Sequence, residues 1–471
     1  MRGAVVCSHQ IAADAGAKTM EHGGNAIDAT VAVAMALAVL DPANCGIGGY
    51  GGFMVIQKTP HEIPITIDFN ATVANEFNPA LLTSNKIGVN YFGSAASVST
   101  PLVLSGLLKA HQEFGSQDFA PLLNTAIAAA QEGFIVGQNL QMALSWAAAR
   151  ADQFPDNFKA IFAPDGKWLQ VGDRLIQAEL ANTLTHIQAD PVGFFYQGEF
   201  AAATSQFLLE HGGWLSKENF NQQQAKLDVG NPAAFHGSTI YGPNPLTSGF
   251  GIVQDALQQL SNIGLQELQA EKNYIALVAD ALRIGWRNKR EAFAVTKAAE
   301  QHTTHFCISD TKGMTVSCTF TQGPLWFGSG LITPGTGVVL NCAGNLFRQS
   351  RASGKWLCVT NLSPNVMLKK NGDQIASGSP GGPRIPAIIL QIILEMSSKT
   401  SNLQQAINRL RVSVTPNGEL ELEDEALAKR YQGLKIHAAE YFGPTSALLR
   451  APNGDLHIGT DDRFEKGVAW V

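Results

Sequence analysis

The chain opens with two stretches whose apolar residues recur at helical spacing. The first predicts a helix from about Gln10 to Glu21, ended by Gly23-Gly24. Asn25 then caps a second helix, and Asp28, three positions on, completes a reciprocal capping pair. That second stretch, Ala26–Leu40, is apolar almost throughout. It predicts a buried core helix, because it is too short for a comfortable membrane span and carries Asp28. A glycine-dense run follows, Cys45-Gly46-Ile47-Gly48-Gly49-Tyr50-Gly51-Gly52-Phe53. Its backbone must turn sharply or lie close against another segment. It is not a phosphate loop, since the helix precedes it and no GK[ST] follows. Strands are predicted near Phe53–Gln57 and Ile63–Phe69. From about Thr100 to Leu260 the pattern is mostly helical, with helices near Leu102–His111, Phe119–Glu132, Leu140–Ala151, Leu175–Gln188, Phe200–Glu210 and Val253–Gln259. Another, near Tyr274–Arg287, leads into a polar connector, Asn288–His302. After Thr303 the texture changes. Thr304–Asp310 and Met314–Gln322 alternate as strands around a tight turn at Thr311-Lys312-Gly313. Further strands are expected near Val338–Asn341, Asn365–Leu368, Gln374–Ser377, Ser446–Ala451 and Leu456–Gly459, and a helix near Ala387–Ser397. Pattern alone thus yields mixed α and β.

Composition narrows the partners more than the fold. With 45% hydrophobic and 15% charged residues over 471 positions, the chain buries a full core, as two domains or one two-lobed unit. The formal charge is −6 and no basic stripe stands out, so the expectation is no nucleic acid and no membrane partner. Six cysteines, at 7, 45, 307, 318, 342 and 358, include no CxxC pair. Neither a metal site nor a disulfide framework is expected. The N-terminal run lacks a signal-type apolar stretch with a cleavage site, which reads as a reduced, cytoplasmic protein.

The candidate chemistry lies at His302-Thr303-Thr304-His305. A threonine hydroxyl is a poor nucleophile until the free α-amine of the same residue can take its proton. That amine titrates near neutrality, at about 7.7–8.0 in model peptides. Using it requires the peptide bond before the threonine to be cut. A threonine at the start of a strand, after a polar connector, suits such a cut, although threonines opening strands are common on structural grounds alone. His305, two residues along the same strand, reads as a structural histidine, as do His9 and His22.

The wider sequence resembles the γ-glutamyltranspeptidases. Gly23-Gly24-Asn25-Ala26-Ile27-Asp28-Ala29 looks like their GGNAxDA signature, and Gly46-Ile47-Gly48-Gly49 like the glycine segment after it. Glu132-Gly133-Phe134, Phe195-Tyr196-Gln197-Gly198 and a weak Pro243–Gly249 match later landmarks. Thr303-Thr304-His305-Phe306 with Asp310 and Gly313 resembles the processing site and first hairpin. Ser379-Pro380-Gly381-Gly382-Pro383-Arg384-Ile385 is similar to SPGGxRI, and Asp461 with Arg463 to the C-terminal DxR. The resemblance implies a four-layer αββα sandwich of the N-terminal-nucleophile hydrolase type. A large segment, 1–302, and a small one, 303–471, would build one core, with cleavage between His302 and Thr303. Thr303 would be the nucleophile, and Thr321 would hydrogen-bond the nucleophile's hydroxyl. Thr319 shares that strand face. Gly381 and Gly382 would offer backbone N–H groups to the oxyanion. No cofactor is implied.

Departures from the family pattern gather in the substrate pocket. Asn70, in Asp68-Phe69-Asn70-Ala71, stands where an arginine pairs with the substrate's α-carboxylate. In Asn341-Cys342-Ala343-Gly344-Asn345-Leu346-Phe347, Leu346 replaces the acid that holds the α-ammonium, and Ala343 replaces a Gln or Glu. Gly323 stands at a usually polar position, and Thr360-Asn361 at the paired serines. Asparagine cannot copy the charged, planar fork of arginine. The expectation is therefore an autoprocessed threonine amidohydrolase or acyltransferase acting on a small-molecule amide, as a heterodimer of its two cleavage products. Non-glutamyl substrates are favoured over glutathione. The alternatives are an oxamate-like amide hydrolase, a natural-product enzyme that cleaves C–C bonds, and an unprocessed binding relative.

Overall fold

The computed structural model describes residues 2–74, 77–78, 94–222, 224–293, 302–398, 402–423, 436–438 and 442–471. Residues 294–301, most of the connector expected over 288–302, lie outside these. Among the described residues two antiparallel sheets face each other. Numbering their strands together, the first holds β1 (Ala4–Cys7), β2 (Gly51–Gln57), β3 (Ile65–Asp68), β4 (Lys226–Val229), β7 (His302–Ser309), β8 (Thr315–Gly323) and β13 (Gly467–Trp470). The second holds β5 (Asn231–Phe235), β6 (Ser238–Gly242), β9 (Asn365–Leu368), β10 (Gln374–Gly378), β11 (Ser446–Arg450) and β12 (Leu456–Thr460). The orders are β13-β1-β7-β8-β2-β3-β4 and β12-β11-β10-β9-β6-β5. Both sheets mix strands from before and after residue 302.

Alternation along each strand makes the four layers. Val5 and Cys7 point into one apolar cluster with the helices α1 (Gln10–Glu21) and α2 (Ala26–Leu40). Ala4 and Val6 point the other way, into a cluster with Val366, Ala376 and Leu448 of the second sheet. On that sheet Met367 and Ile375 turn outward onto the helices Phe250–Leu260, Glu271–Ala292 and Ile385–Met396. Side chains with period two thus give each sheet one face towards its partner sheet and one towards helices, the αββα sandwich.

Local chemistry explains why the first elements form where they do. Asn25 caps α2 through Ile27 and Asp28 N–H groups, and the Asp28 carboxylate accepts from Asn25 N–H at 2.8 Å. Every residue of α2 is buried, as its apolar run requires. Asp310 ends β7. Its carboxylate accepts from Lys312 and Met314 N–H groups and, at 3.0 Å, from Ala26 N–H, tying the β7–β8 turn to the start of α2. The glycine run needs close approach. A Cβ at Gly51 would lie 1.7 Å from Phe69 O, and one at Gly49 2.6 Å from Thr321 O.

Some expectations differ from the structure. Val338–Asn341 is no strand; Val339 makes one isolated bridge, to Ile332. The segment expected to be mostly helical up to Leu260 contains β4, β5 and β6, and β1 and β13 are strands where the pattern predicts none.

Candidate active site

β7 begins at His302, and all eight of its residues are buried. Thr303, His305, Cys307 and Ser309 share the face turned to the second sheet. Thr304 and Phe306 face the helices. Across the ladder, Phe320 pairs with Thr304, but the next partnered residues are Gly323 and His302, so β8 bulges by one residue between them. A bulge re-aims the side chains it displaces. Here it turns the Thr321 hydroxyl onto the main chain of β7, where it donates to His302 O at 2.5 Å and accepts from Gly323 N–H at 3.0 Å. The sequence pointed instead to a bond between Thr321 and the Thr303 hydroxyl. The Thr303 Oγ1 atom is buried and has no hydrogen-bond partner among the described residues.

The His302 ring stacks on Trp326 with centroids 4.2 Å apart. Burial, and then the nearby Arg384 guanidinium, push its pKa down to about 3. His305 is held between the sheets by Thr319 Oγ1 at 2.8 Å and the Cys307 thiol at 3.2 Å. Burial likewise pushes its pKa down to about 3. It is a neutral structural histidine, as read from the sequence.

The turn after β10 lies beside this junction. A Cβ on Gly378 would fall within 2.2 Å of the His305 ring, and Pro380 lines the same cavity as Thr303. Gly381 and Gly382 take positive φ values, 127° and 60°, that L-residues avoid. Their N–H groups donate to no acceptor among the described residues. A polar brace fixes the turn. Arg411 bonds Gly443 O at 2.8 Å, Thr445 Oγ1 at 3.0 Å and the Asp461 carboxylate; Thr445 Oγ1 bonds Ser379 Oγ at 3.0 Å. Asp461 also pairs with Arg463 at 3.0 Å. The sequence singled out Asp461 and Arg463 without a task, and it missed Arg411 and Thr445, which no local motif marks.

The remaining site residues form one wall on the β8–β2–β3 side. Asn70 follows β3 and abuts Gly51, the ladder partner of Thr321. Its amide donates to Gly52 O at 3.1 Å and to Asp68 Oδ1 at 2.8 Å. Gly323 packs against Cys342, next to the turn Ala343–Leu346. Leu346 is 3% exposed, and its carbonyl accepts from Val359 N–H. Thr360 and Asn361 lie against residues 247–249, where Lys289 donates to both Ser248 O and Thr360 O.

Opposite this wall, on the β1 side of Thr303, a cavity of about 300 Å³ is lined by Ser8, Asp41, Phe134, Thr303, Thr304 and Trp326 among others. The Asp41 carboxylate accepts from Asn44 at 2.7 Å and from Ser8 Oγ at 3.4 Å; Ser8 Oγ lies 3.2 Å from Thr304 Oγ1. Burial pushes the Asp41 carboxyl up to about 7. Among the described residues no cluster of His, Cys, Asp and Glu is arranged to hold a metal, and no helix is long and apolar enough to cross a membrane.

A family model described as gamma-glutamyltranspeptidase matches residues 12–297 and 286–471. The capsule biosynthesis protein CapD proenzyme of Bacillus anthracis is 28% identical over 502 residues, covering 98% of this chain and 90% of the relative. The glutathione hydrolase proenzyme of Escherichia coli (strain K12) is 26% identical over 534 residues, covering 98% and 90%. Among solved structures, the cephalosporin acylase from Bacillus halodurans superimposes with a TM-score of 0.86 over 99% of this chain and 95% of that one, at 22% identity. That likeness is one of fold.

Proposed function

The chain belongs to the γ-glutamyltranspeptidase family, and from that premise we propose that it cuts itself before Thr303 and then uses Thr303 as the nucleophile of an amide hydrolase or acyltransferase. Relatives named as proenzymes support the self-cleavage. The observation that carries the reading is the Thr321 hydroxyl on His302 O, at the one peptide bond whose rupture frees Thr303. A donor on a carbonyl oxygen polarises that carbonyl and stabilises the oxyanion formed when it is attacked. The Thr303 hydroxyl attacks the His302 carbonyl carbon. The C–N bond breaks and an ester forms at Oγ1. The hydroxyl proton goes to the departing nitrogen, which becomes the α-amine of Thr303. Water then hydrolyses the ester, leaving a carboxylate on His302 and the hydroxyl on Thr303. In turnover the new α-amine takes the hydroxyl proton, and the N–H groups of Gly381 and Gly382 serve the substrate oxyanion. The acyl group passes to water or to an amine. The products of self-cleavage stay together, because both sheets interleave strands from the two segments.

Intact-mass measurement of the purified protein tests this. Two fragments are expected, the second starting at Thr303, and Thr303→Ala should stay a single chain. A full-length wild-type chain that turns over amides would overturn the mechanism.

The acyl wall favours a non-glutamyl substrate. The Asn70 amide is spent on Gly52 O and Asp68, and Leu346 is buried. Neither offers the charge that a γ-glutamyl zwitterion requires.

A further inference from the structure

Thr303 lines the cavity that also takes in Ser8, Asp41 and Thr304, whereas Asn70, Gly323, Ala343 and Leu346, the acyl wall of the reading above, are not part of its lining. In acyl transfer the carbonyl carbon sits at Thr303 with its acyl chain on one side. The leaving or accepting group must then occupy the other. Thr303 lines the cavity, and its hydroxyl is buried without a hydrogen-bond partner among the described residues. The charged groups around that space are mostly spent. Glu465 accepts from the N–H groups of Gln138 and Asn139, at 2.9 and 3.0 Å. Asp461 is paired with Arg411 and Arg463, and Lys466 with Asp462 at 2.6 Å. Asp41 is the acid of the lining with no cationic partner among the described residues; its contacts are to an amide and hydroxyls.

We infer that this cavity is the subsite of the leaving or accepting amine, and that Asp41 receives a second, protonated nitrogen on that molecule. The inference rests on the acyl-transfer reading above. The class of ligand is a primary amine with a distal cation, such as an α,ω-diamine. Asp41 contacts Ser8 and the Thr304 hydroxyl rather than Thr303, so the charge it binds is distinct from the nitrogen that reacts at Thr303. In the transfer step the neutral amine attacks the ester carbonyl carbon at Thr303. The C–Oγ1 bond breaks, and the amine's proton passes by way of the Thr303 α-amine to Oγ1. The product is a new amide that keeps its distal cation at Asp41.

Isothermal titration with 1,4-diaminobutane and with 4-amino-1-butanol tests this. The two probes differ only in whether the distal end is charged. The processed wild type should bind the diamine at least about tenfold more tightly, and Asp41→Asn should bring the two affinities together. Equal affinities in the wild type, no binding of either probe, or an unchanged ratio in Asp41→Asn would each overturn the inference. If Asp41→Asn does not fold, the wild-type ratio at pH 6 and pH 8 decides. Burial pushes the Asp41 carboxyl up to about 7, so the preference should shrink at pH 6. His9 and His305, which also face the cavity, are lowered by burial, and the Cys7 thiol is pushed up to about 12, so none of these supplies a charge at pH 8. The Thr303 α-amine of the processed chain gains charge over the same interval, but it faces the reacting amine that both probes share, so the ratio isolates the distal cation. A ratio constant between the two pH values overturns the inference. Titration needs no turnover. Self-cleavage without a diamine preference sinks this inference alone, whereas a diamine preference without self-cleavage sinks the reading on which it rests.

Discussion

A threonine hydroxyl near neutral pH is a weak nucleophile, so its surroundings decide whether Thr303 reacts. Before cleavage its own nitrogen is an amide and cannot act as a base. The help available is electrophilic, and the Thr321 hydroxyl on His302 O supplies it. Removing a comparable donor costs roughly 2.7–4 kcal/mol, or about 10²–10³ in rate, in enzymes where one was deleted. Thr321→Val keeps the shape and loses the donor. Its self-cleavage, followed as disappearance of the single chain on a denaturing gel, should slow by about that factor, and Thr321→Ser should restore most of it. Cleavage of Thr321→Val at the wild-type rate would remove Thr321 from the chemistry. In the proposed self-cleavage His302 O leaves as part of a carboxylate, which would free Thr321 to turn to the Thr303 hydroxyl; in the structure it bonds His302 O instead.

At the scale of elements, the seam between the sheets sets how acid affects the fold. His305 is 2% exposed, bonded to Thr319 and Cys307, and pushed by burial to about 3. In the unfolded chain it titrates near 6.5. Below that pH the unfolded state takes up a proton that the folded state refuses, so stability present above about 6.5 is lost as pH falls towards 3. His302 acts with the same sign. Asp41, raised by burial to about 7, acts with the opposite sign, since the folded state keeps a proton that the unfolded state releases above about 4. His9, lowered by burial, adds to the histidines, and Asp68 and Asp255, raised by burial, add to Asp41, so the contribution of His305 is read by difference. On going from pH 7 to pH 5 the urea midpoint of His305→Gln should fall less, or rise more, than that of the wild type, by up to about 1.4 kcal/mol per pH unit below 6.5. An unchanged slope in His305→Gln would mean that the ring is not held neutral. The same scale explains what the sequence disclosed. α1, α2 and the Asn25–Asp28 capping box were legible because their contacts are local. β1 was not. Its four apolar residues acquire partners from residues 307–309 and 467–470, and nothing within the segment says so. Pro232 disguised β5, which tolerates proline because it is an edge strand. The candidate site residues are named through the family resemblance, whose motifs run in order along the chain. The one-residue bulge that aims Thr321 could not be located, since only pairing with β7 exposes it.

For the whole molecule, specificity follows from how the fold divides space around one strand end. In the proposed reading the acyl chain lies along the wall from Asn70 to Leu346, where the neighbouring Asp68 carboxylate is already taken by the Asn70 amide. Asn70 could have kept a free amide for a carboxylate, but both of its donors are engaged, on Gly52 O and on Asp68 Oδ1. Leu346 closes the far end with a buried alkyl group. A γ-glutamyl group would bring an ammonium and a carboxylate into this wall. Each would lose water and gain no charged partner, and charge-assisted bonds of about 1.5–3 kcal/mol apiece would be forgone. Turnover of γ-glutamyl-p-nitroanilide by the processed wild type should therefore be at least about 10²-fold below its turnover of a small uncharged acyl anilide. Released p-nitroaniline reports both. The double change Asn70→Arg with Leu346→Asp should raise the γ-glutamyl rate. The introduced guanidinium would be drawn to Asp68, which now holds the Asn70 amide, so the gain depends on how far that carboxylate lets it reach the substrate. The wild-type comparison needs no such rearrangement. Gamma-glutamyl turnover equal to that of the uncharged anilide would show that other residues read the glutamate, and Lys289, whose ammonium bonds Thr360 O, would be the first to replace.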